Sequence, residues 1–130
     1  MRLNRSTDYA IQMLVYLAKA GKTVSSSKLA AAIGVSHRYL LQISAKLRAA
    51  RLIRAAHGSS GGLVLIKHPD KISLYDVIIS MEGIVQVGKI CGVSSSEIQL
   101  EFYALDMIYM RINTILECEL KKISLKDILI

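Results

Sequence analysis

A cysteine in a short polar stretch is the first residue of this chain that offers reactive chemistry. Cys91 lies in KICGVSSSEI, between Gly88 and Gly92. The flanking glycines indicate an exposed thiol, and nearby Lys89 favours the thiolate form, which ligates metals and responds to oxidants. A loop cysteine can equally be unreactive. Cys118 is the second of the two cysteines, and Cys91 stays open to three interpretations: metal ligand, redox switch or inert residue.

Enzymatic chemistry is not indicated by the other residues. The three histidines, His37, His57 and His68, are scattered over the first 71 residues without a nucleophile or an acid–base pair beside them. No glycine-rich phosphate-binding loop precedes a helix. We therefore expect a protein that is not an enzyme.

Composition favours one folded and largely helical domain. The 130 residues are 52% apolar and include a single proline, which argues against disorder. No secretory signal is visible, and no uncharged apolar run approaches the roughly 18–20 residues of a membrane span. We expect a cytoplasmic protein without membrane contact, in which the cysteines do not form a structural disulfide.

Charge is distributed unevenly along the chain. Residues 1–71 carry 12 lysines and arginines but 2 aspartates and glutamates, a formal charge of +10. Residues 72–130 carry 5 lysines and arginines and 8 aspartates and glutamates, a formal charge of −3. The two parts together give the +7 of the whole chain. A basic half of this kind is typical of a surface that meets a polyanion, although a solvated basic surface without a partner has the same composition.

The stretch SSSKLAAAIGVSHRYLLQISAKLRAARLI has the pattern of a helix-turn-helix motif. A short helix is predicted from Lys28 to Ile33 after a serine cap, Gly34 breaks it, and Ser36 caps a second helix that runs to about Ala50. Apolar residues bury one side of both helices. The outer face of the second helix carries side chains that can contact bases or phosphates: His37, Arg38, Gln42, Lys46 and Arg48.

Elements on either side of the motif complete a winged arrangement. A first helix is predicted over residues 6–20, capped by Ser6 or Thr7. Strands Leu52–Ala55 and Leu63–Lys67, joined by HGSSGG, form a β-hairpin directly after the second helix. A β-hairpin at this place in the chain is typical of the wing of a winged-helix domain.

The second half of the chain predicts one long helix between two short ones. Ser73 caps a helix over Leu74–Met81, no glycine or proline interrupts the chain from Glu97 to about Glu119, and Ser124 caps a last segment. Apolar residues of the long helix recur in steps of four and three, which is a heptad seam that favours burial against a second copy. Packing on its own domain is the alternative. The predicted seam consists of Ile98, Phe102, Leu105, Tyr109, Ile112 and Leu116.

These elements together predict a mainly α fold with a small β wing. We divide the chain into a winged helix-turn-helix domain over residues 1–83 and a sensor-type loop over residues 84–95. A dimerisation helix with a C-terminal segment follows over residues 96–130.

Five stretches in order resemble one known family. They are MRLNRSTDYAIQMLVYLA, LAAAIGVSHRYLLQISAKLRAARLI, HGSSGGLVL, ISLYDVI and ISLKDILI, and they are similar to the IscR/NsrR/CymR-type family of winged-helix transcription regulators. The resemblance implies a homodimer that binds a near-palindromic operator in double-stranded DNA, more commonly as a repressor. It also implies that the second helix of the motif enters the major groove, that the wing reaches the minor groove, and that the long helices cross between subunits.

The resemblance assigns DNA contacts residue by residue. The groove-facing start of the recognition helix corresponds to Ser36, His37, Arg38, Tyr39 and Gln42. The wing tip corresponds to His57, Gly58, Ser59 and Ser60. The family usually has arginine where this chain has His57, and because a neutral histidine is a poorer minor-groove probe we expect a different operator. Phosphate contacts are expected from Arg2, Arg5, Lys28, Lys46 and Arg54.

Many family members hold an iron–sulfur cluster through three cysteines before the long helix and a fourth ligand elsewhere. Cys91 matches the first of these cysteines, whereas Glu97 and Tyr103 occupy the positions of the other two. Asp106 lies where some members have a histidine ligand, and Asp8 where some have an acidic one. Because two of three thiolates are missing, we expect a regulator without a complete iron–sulfur site and without a cofactor.

Two alternatives remain open from the sequence. One is a sensor of redox state or nitric oxide that uses the Cys91 thiol or a cluster ligated by Cys91 with Asp8, Glu97 or Asp106. The other is a protein-interaction module that keeps the winged-helix fold without binding DNA, although the basic first half argues against it. The sequence does not identify an effector, whether a small molecule or a protein.

Overall fold

The computed structural model of the protein describes residues 2–88 and 98–130. Within them the chain is mainly helical with one two-stranded antiparallel sheet, which confirms the predicted fold class. No helix in these ranges is long and apolar enough to cross a membrane. The elements are α1 (Arg5–Ala20), α2 (Ser26–Ile33), α3 (His37–Ala49), β1 (Ile53–Ala56), β2 (Gly62–Leu65), a 3-10 turn (Pro69–Lys71), α4 (Leu74–Glu82), α5 (Gln99–Lys122) and α6 (Leu125–Ile128).

One hydrophobic core joins the helix-turn-helix motif to the elements around it. The helical period places four apolar residues of α1 and three of α3 on one face of each helix. These residues pack with side chains of the strands, α4 and α6. The α1 and α3 members are Ala10, Met13, Leu14, Leu17, Leu40, Ile43 and Leu47.

The corner between α2 and α3 follows the local sequence closely. Gly34 has a left-handed φ of 82°, which glycine adopts without the steric cost of a Cβ. Ser36 then begins α3, because its hydroxyl accepts a hydrogen bond from the Tyr39 N–H at 3.1 Å. Helix α2 begins two residues earlier than predicted, since the Ser25 hydroxyl accepts from the Lys28 N–H at 3.2 Å.

The start of α1 corrects the predicted cap. The helix begins at Arg5, and neither Ser6 nor Thr7 caps it. The backbone N–H of Asn4 instead donates to the carboxylate of Glu82, at the end of α4, at 2.7 Å. Capping preferences describe neighbours along the chain, so they do not reveal a partner 78 residues away.

A serine with an aspartate three residues later begins both α4 and α6. The Ser73 hydroxyl accepts from the Asp76 N–H at 3.0 Å, and the Asp76 carboxylate accepts from the Ser73 N–H at 3.0 Å. The Asp127 carboxylate accepts from the Ser124 N–H at 2.8 Å. The capping is reciprocal at α4, and at both helices the spacing of serine and aspartate made the start predictable from the local sequence.

The wing is a short hairpin that is tied at its base to the helix-turn-helix motif. Arg51 adopts a left-handed φ of 60° and turns the chain from α3 towards β1. The strands pair with Ile53 opposite Leu65, and their bounds lie one or two residues from the predicted ones. Val24, just before α2, pairs with Leu63 through two backbone hydrogen bonds of 2.8 and 2.9 Å.

Replacing Gly62 with alanine is expected to destabilise the fold more than the same change at Gly34. Both glycines have positive φ, 153° and 82°, so both variants carry backbone strain. A Cβ on Gly62 would also lie 2.2 Å from the Val24 carbonyl oxygen, whereas a Cβ on Gly34 meets no atom within 4 Å. Urea unfolding should show that the free energy of unfolding falls by at least about 2 kcal/mol for Gly62→Ala and by about 1 kcal/mol for Gly34→Ala. Equal losses would contradict the close approach of the wing base to Val24.

The C-terminal segment returns to the core of the first helices. The Leu125 side chain is fully buried, and its N–H donates to the Ile72 carbonyl at 2.9 Å. The Leu74 N–H donates to the Ile123 carbonyl at 2.8 Å. The predicted division of the chain at residues 84 and 96 stays a prediction, and the residues after α5 share the core of residues 1–83.

Candidate DNA-binding surface

The exposed side of α3 is the centre of the candidate surface. Its inner side is anchored by Leu40, Ile43 and Leu47, so residues two positions before and after Leu40 lie away from the core. Arg38 and Gln42 occupy these positions and are exposed. A guanidinium and a carboxamide can each make two hydrogen bonds to the edge of a base.

Three other residues predicted at the start of α3 are engaged within the protein. The Ser36 hydroxyl is the helix cap, and the half-buried Tyr39 ring lies edge-on to Tyr9 of α1 with ring centroids 5.8 Å apart. His37 Nε2 lies 2.7 Å from the Ser26 hydroxyl, which joins the starts of α2 and α3. These contacts orient the helix, and the predicted DNA contacts of the three residues remain predictions.

The basic residues predicted to meet phosphates are all on the surface. Lys46 also makes a contact within the protein, since its Nζ lies 3.5 Å from the Met81 carbonyl oxygen at the end of α4. A cation is favoured near a helix C-terminus, and at this distance the contact leaves the ammonium group accessible. The five residues predicted to contact phosphates, all of them exposed, are Arg2, Arg5, Lys28, Lys46 and Arg54.

The tip of the wing is closed by a turn of its own. The Gly61 N–H donates to the Gly58 carbonyl at 3.0 Å, and Gly58 has a φ of 101°, which glycine tolerates best. The predicted tip residues His57, Gly58, Ser59 and Ser60 are all exposed. A loop closed in this way presents its side chains at the end of the hairpin.

A groove of about 380 Å³ separates α3 from the wing and is lined by residues of both, among them Leu41, Arg48 and His57. Sequence reasoning misses Leu41, whose side chain is 43% exposed although it follows buried Leu40. The available signal was its spacing, since residues three apart share a helix face and Leu41 lies three after Arg38. An exposed leucine beside an arginine can contact a thymine methyl group.

Helix α5 presents a second exposed surface of a different kind. None of its residues, all of which the structure describes, is buried within the chain. In the predicted seam Ile98 and Ile112 are exposed, whereas Phe102, Leu105, Tyr109 and Leu116 are half-buried against their own chain. The remaining circumference exposes Leu100, Tyr103, Met107, Ile108, Met110 and Ile115.

The segment after α4 explains part of this partial burial. The Val87 N–H donates to the Asn113 side chain at 2.6 Å. Gly88 lies against the Tyr109 ring so closely that a Cβ would approach it to 3.0 Å. One side of α5 is therefore covered by its own chain, and the rest is exposed among the residues that the structure describes.

A helix-turn-helix motif with an exposed second helix, followed directly by a β-hairpin, defines a winged-helix protein. The model of the Rrf2 family, described as an iron-dependent transcriptional regulator, matches residues 3–130 of this chain. The protein belongs to the Rrf2 family, which consists of transcriptional regulators, and the predicted resemblance is confirmed.

Relatives of known sequence and structure agree with this membership. A Mycobacterium tuberculosis protein named as an HTH-type transcriptional regulator is 36% identical over 85 residues, which are 64% of this chain and 53% of the relative. The chain thus spans about half the length of the curated relatives it matches. CymR, the global cysteine regulator of B. subtilis, is 25% identical with a TM-score of 0.79, over 98% of this chain and 95% of CymR. IscR of T. potens is 25% identical with a TM-score of 0.74, over 98% and 85%.

The family description names iron, and the donor set of this chain does not match a cysteine-ligated cluster. The 130 residues contain two cysteines, against the usual four thiolates. No three His, Cys, Asp or Glu residues come together as a metal group within the described part of the chain. Asp8 is exposed on α1 and Asp106 is half-buried on α5, while Cys91 and Glu97 lie outside the described residues.

Proposed function

We propose that this protein is a sequence-specific DNA-binding regulator of transcription that acts in the cytoplasm as a homodimer on a near-palindromic operator, as a repressor. The observation that carries the proposal is the exposed outer side of α3, where Arg38 and Gln42 lie free of the core. The charge of +10 on residues 1–71 supports a polyanionic partner.

In this proposal α3 lies in the major groove and the wing tip reaches the adjacent minor groove. Arg38 and Gln42 read base edges, with Leu41 against a thymine methyl group. His57 and the serines of the tip meet the minor groove, where they distinguish groove shape more than individual bases. The exposed basic residues hold the backbone through contacts that carry no sequence information.

The proposed dimer uses the exposed apolar side of α5. Seven large apolar side chains on one surface helix exceed what a monomeric protein usually leaves to water. They are Leu100, Tyr103, Met107, Ile108, Met110, Ile112 and Ile115. A long helix of this kind supports pairing with a second copy, which would place two recognition helices on successive turns of DNA.

Measurement of DNA affinity as a function of salt tests the function directly. The logarithm of the binding constant should fall linearly with the logarithm of the salt concentration, with a slope of about −0.9 for each phosphate contacted. Lys46→Ala should weaken binding to every sequence and reduce the slope by about 0.9 for each contact removed. Lys122→Ala removes an equal charge from an ion pair with Glu119 on α5 and should change neither quantity.

Failure of the parent protein to bind duplex DNA at low salt would refute the proposed function and favour a protein-interaction module. Equal effects of Lys46→Ala and Lys122→Ala would show that the charge acts without a defined docking surface. In that case the placement of α3 in the groove would be wrong.

A further inference from the structure

A single carboxylate holds the N-terminus of the chain against the end of α4. Glu82 Oε1 accepts hydrogen bonds from the Asn4 backbone N–H at 2.7 Å and from the Thr7 hydroxyl at 2.8 Å. Glu82 Oε2 accepts from the Asn4 side-chain Nδ2 at 2.6 Å. Hydrogen bonds to a charged acceptor are stronger than those between neutral groups, so this group of three contacts, the Glu82 clasp, defines the local geometry.

The clasp holds the backbone at Asn4, next to two of the basic residues that are proposed to contact phosphates. Arg2 and Arg5 lie on either side of Asn4, within two residues of it, and both are exposed. The Thr7 side chain is fully buried, so the clasp bonds the exposed N-terminal arm, residues 2–4, and the buried first turn of α1 to one acceptor. An arm tied in this way loses its conformational freedom before DNA arrives, and preorganisation of this kind improves affinity.

Electrostatics alone would act against DNA binding at this place. Glu82 carries a negative charge close to an arm whose arginines are proposed to meet phosphates. The Glu82 carboxylate and the DNA phosphates have the same sign of charge and therefore repel each other. An anion at the start of α1 is favourable for the helix itself, because the first turn exposes unpaired N–H groups. The sign of the effect on DNA affinity therefore separates a positioning role from a purely electrostatic one.

The last turn of α4 also lies beside the recognition helix. The Met81 carbonyl, one residue before Glu82, is the group that lies 3.5 Å from Lys46 Nζ. Arg2 and Leu3 also share a cavity of about 360 Å³ with Glu82 and with Ile84 after α4. The arm, α3 and the segment after α4 thus all contact one turn of helix.

We propose that Glu82 is a positioning residue for DNA binding, which holds Asn4 so that Arg2 and Arg5 reach the DNA backbone. The inference rests on the proposed function, because it assigns a role within the same surface. Glu82 touches no DNA in this arrangement and acts through the arm. Loss of the carboxylate should weaken binding even though it removes a negative charge.

The test compares Glu82→Gln with the parent by fluorescence anisotropy on one operator duplex over a range of salt concentrations. Glu82→Gln should bind about 5-fold more weakly or worse, with a salt slope reduced by about 1–2, since each lost phosphate contact removes about 0.9. Asp70→Asn makes the same charge change in the turn after the wing, where the carboxylate pairs with His68, and should not weaken binding. Asn4→Ala removes the Nδ2 contact without changing charge and should weaken binding in the same direction as Glu82→Gln.

A double-mutant cycle with Arg2→Ala/Arg5→Ala makes the test specific to the arm. The two arginine changes should weaken binding about 10-fold in the parent but less than about 2-fold in Glu82→Gln, because coupled residues are non-additive. Full additivity, or unchanged or tighter binding by folded Glu82→Gln, would overturn the proposal. If Glu82→Gln does not fold, the same cycle with Asn4→Ala decides the question.

The outcomes also separate this inference from the proposed function. A parent protein that does not bind DNA refutes the function. A parent whose binding falls with Arg2→Ala/Arg5→Ala but not with Glu82→Gln or Asn4→Ala keeps the function and refutes the role of the clasp.

Discussion

Arg38→Ala is expected to weaken operator binding by about 1–3 kcal/mol, roughly 5- to 150-fold, for each half-site it contacts. It should also remove the preference for guanine at one position of the half-site. The reason is geometric, since Arg38 lies on the outermost side of α3, opposite the buried Leu40. Anisotropy titrations against the operator and a set of single-base variants, with the operator first selected from a random library, would measure both effects.

Arg38→Lys is the matched control for this prediction. It keeps the positive charge and loses the planar fork that makes two parallel hydrogen bonds. We expect it to retain the salt slope of the parent and to lose most of the base preference. If Arg38→Ala ranks the single-base variants in the same order and with the same spread as the parent, then α3 does not read the groove through this residue.

Ile112→Glu is expected to convert the proposed dimer into monomers and to lower operator affinity by at least about 100-fold, because linked half-site binding is lost. Ile112 belongs to the predicted seam and is 39% exposed in the single chain. A carboxylate there would have to be buried against a second apolar helix, which costs free energy unless it finds a partner. Analytical ultracentrifugation gives the mass, and circular dichroism verifies that the helices remain.

Ile112→Leu provides the control for the dimer prediction, because it keeps volume and hydrophobicity. It should remain dimeric and bind the operator within a few-fold of the parent. A dimeric Ile112→Glu with normal affinity would place the subunit interface elsewhere on the molecule. Monomeric parent protein at micromolar concentration would remove the basis for a two-fold symmetric operator.

The helix-turn-helix motif was predictable because local rules determine it. Gly34 provides the left-handed corner, Ser36 provides the cap, and the apolar spacing of α3 selects its buried face. Each of these signals acts between residues four or fewer positions apart. The caps of α4 and α6 follow the same logic. These are the parts of the fold in which sequence and structure agree to within one or two residues.

The parts that were not predictable depend on distant partners. The Glu82 clasp joins residues 78 and 75 positions apart, and the contact of Tyr9 with Tyr39 joins α1 to α3. Arg51 takes a left-handed φ of 60° that non-glycine residues seldom adopt, so no sequence rule marks the exit from α3. In each case tertiary packing selects a conformation that the local chain does not prefer.

Helix α5 shows a different limit of pattern reading. Steps of four and three identify an apolar stripe, but α5 carries apolar residues around most of its circumference. Several stripes then satisfy the same spacing, and the pattern does not say which one faces the chain itself. Tyr109 is half-buried beside Gly88, while Met107, two positions away, is 51% exposed.

The wing combines a fastened base with a self-contained tip, and this division matters for how such a protein changes what it recognises. The pairing of Val24 with Leu63 holds the hairpin against the residues before α2, whereas the turn from Gly58 to Gly61 closes on itself. The residues of the tip can therefore be exchanged without changing the base of the hairpin. Under the proposed function, mutation of the few tip residues would alter one part of the recognised sequence. The spacing between the wing and α3 would stay unchanged.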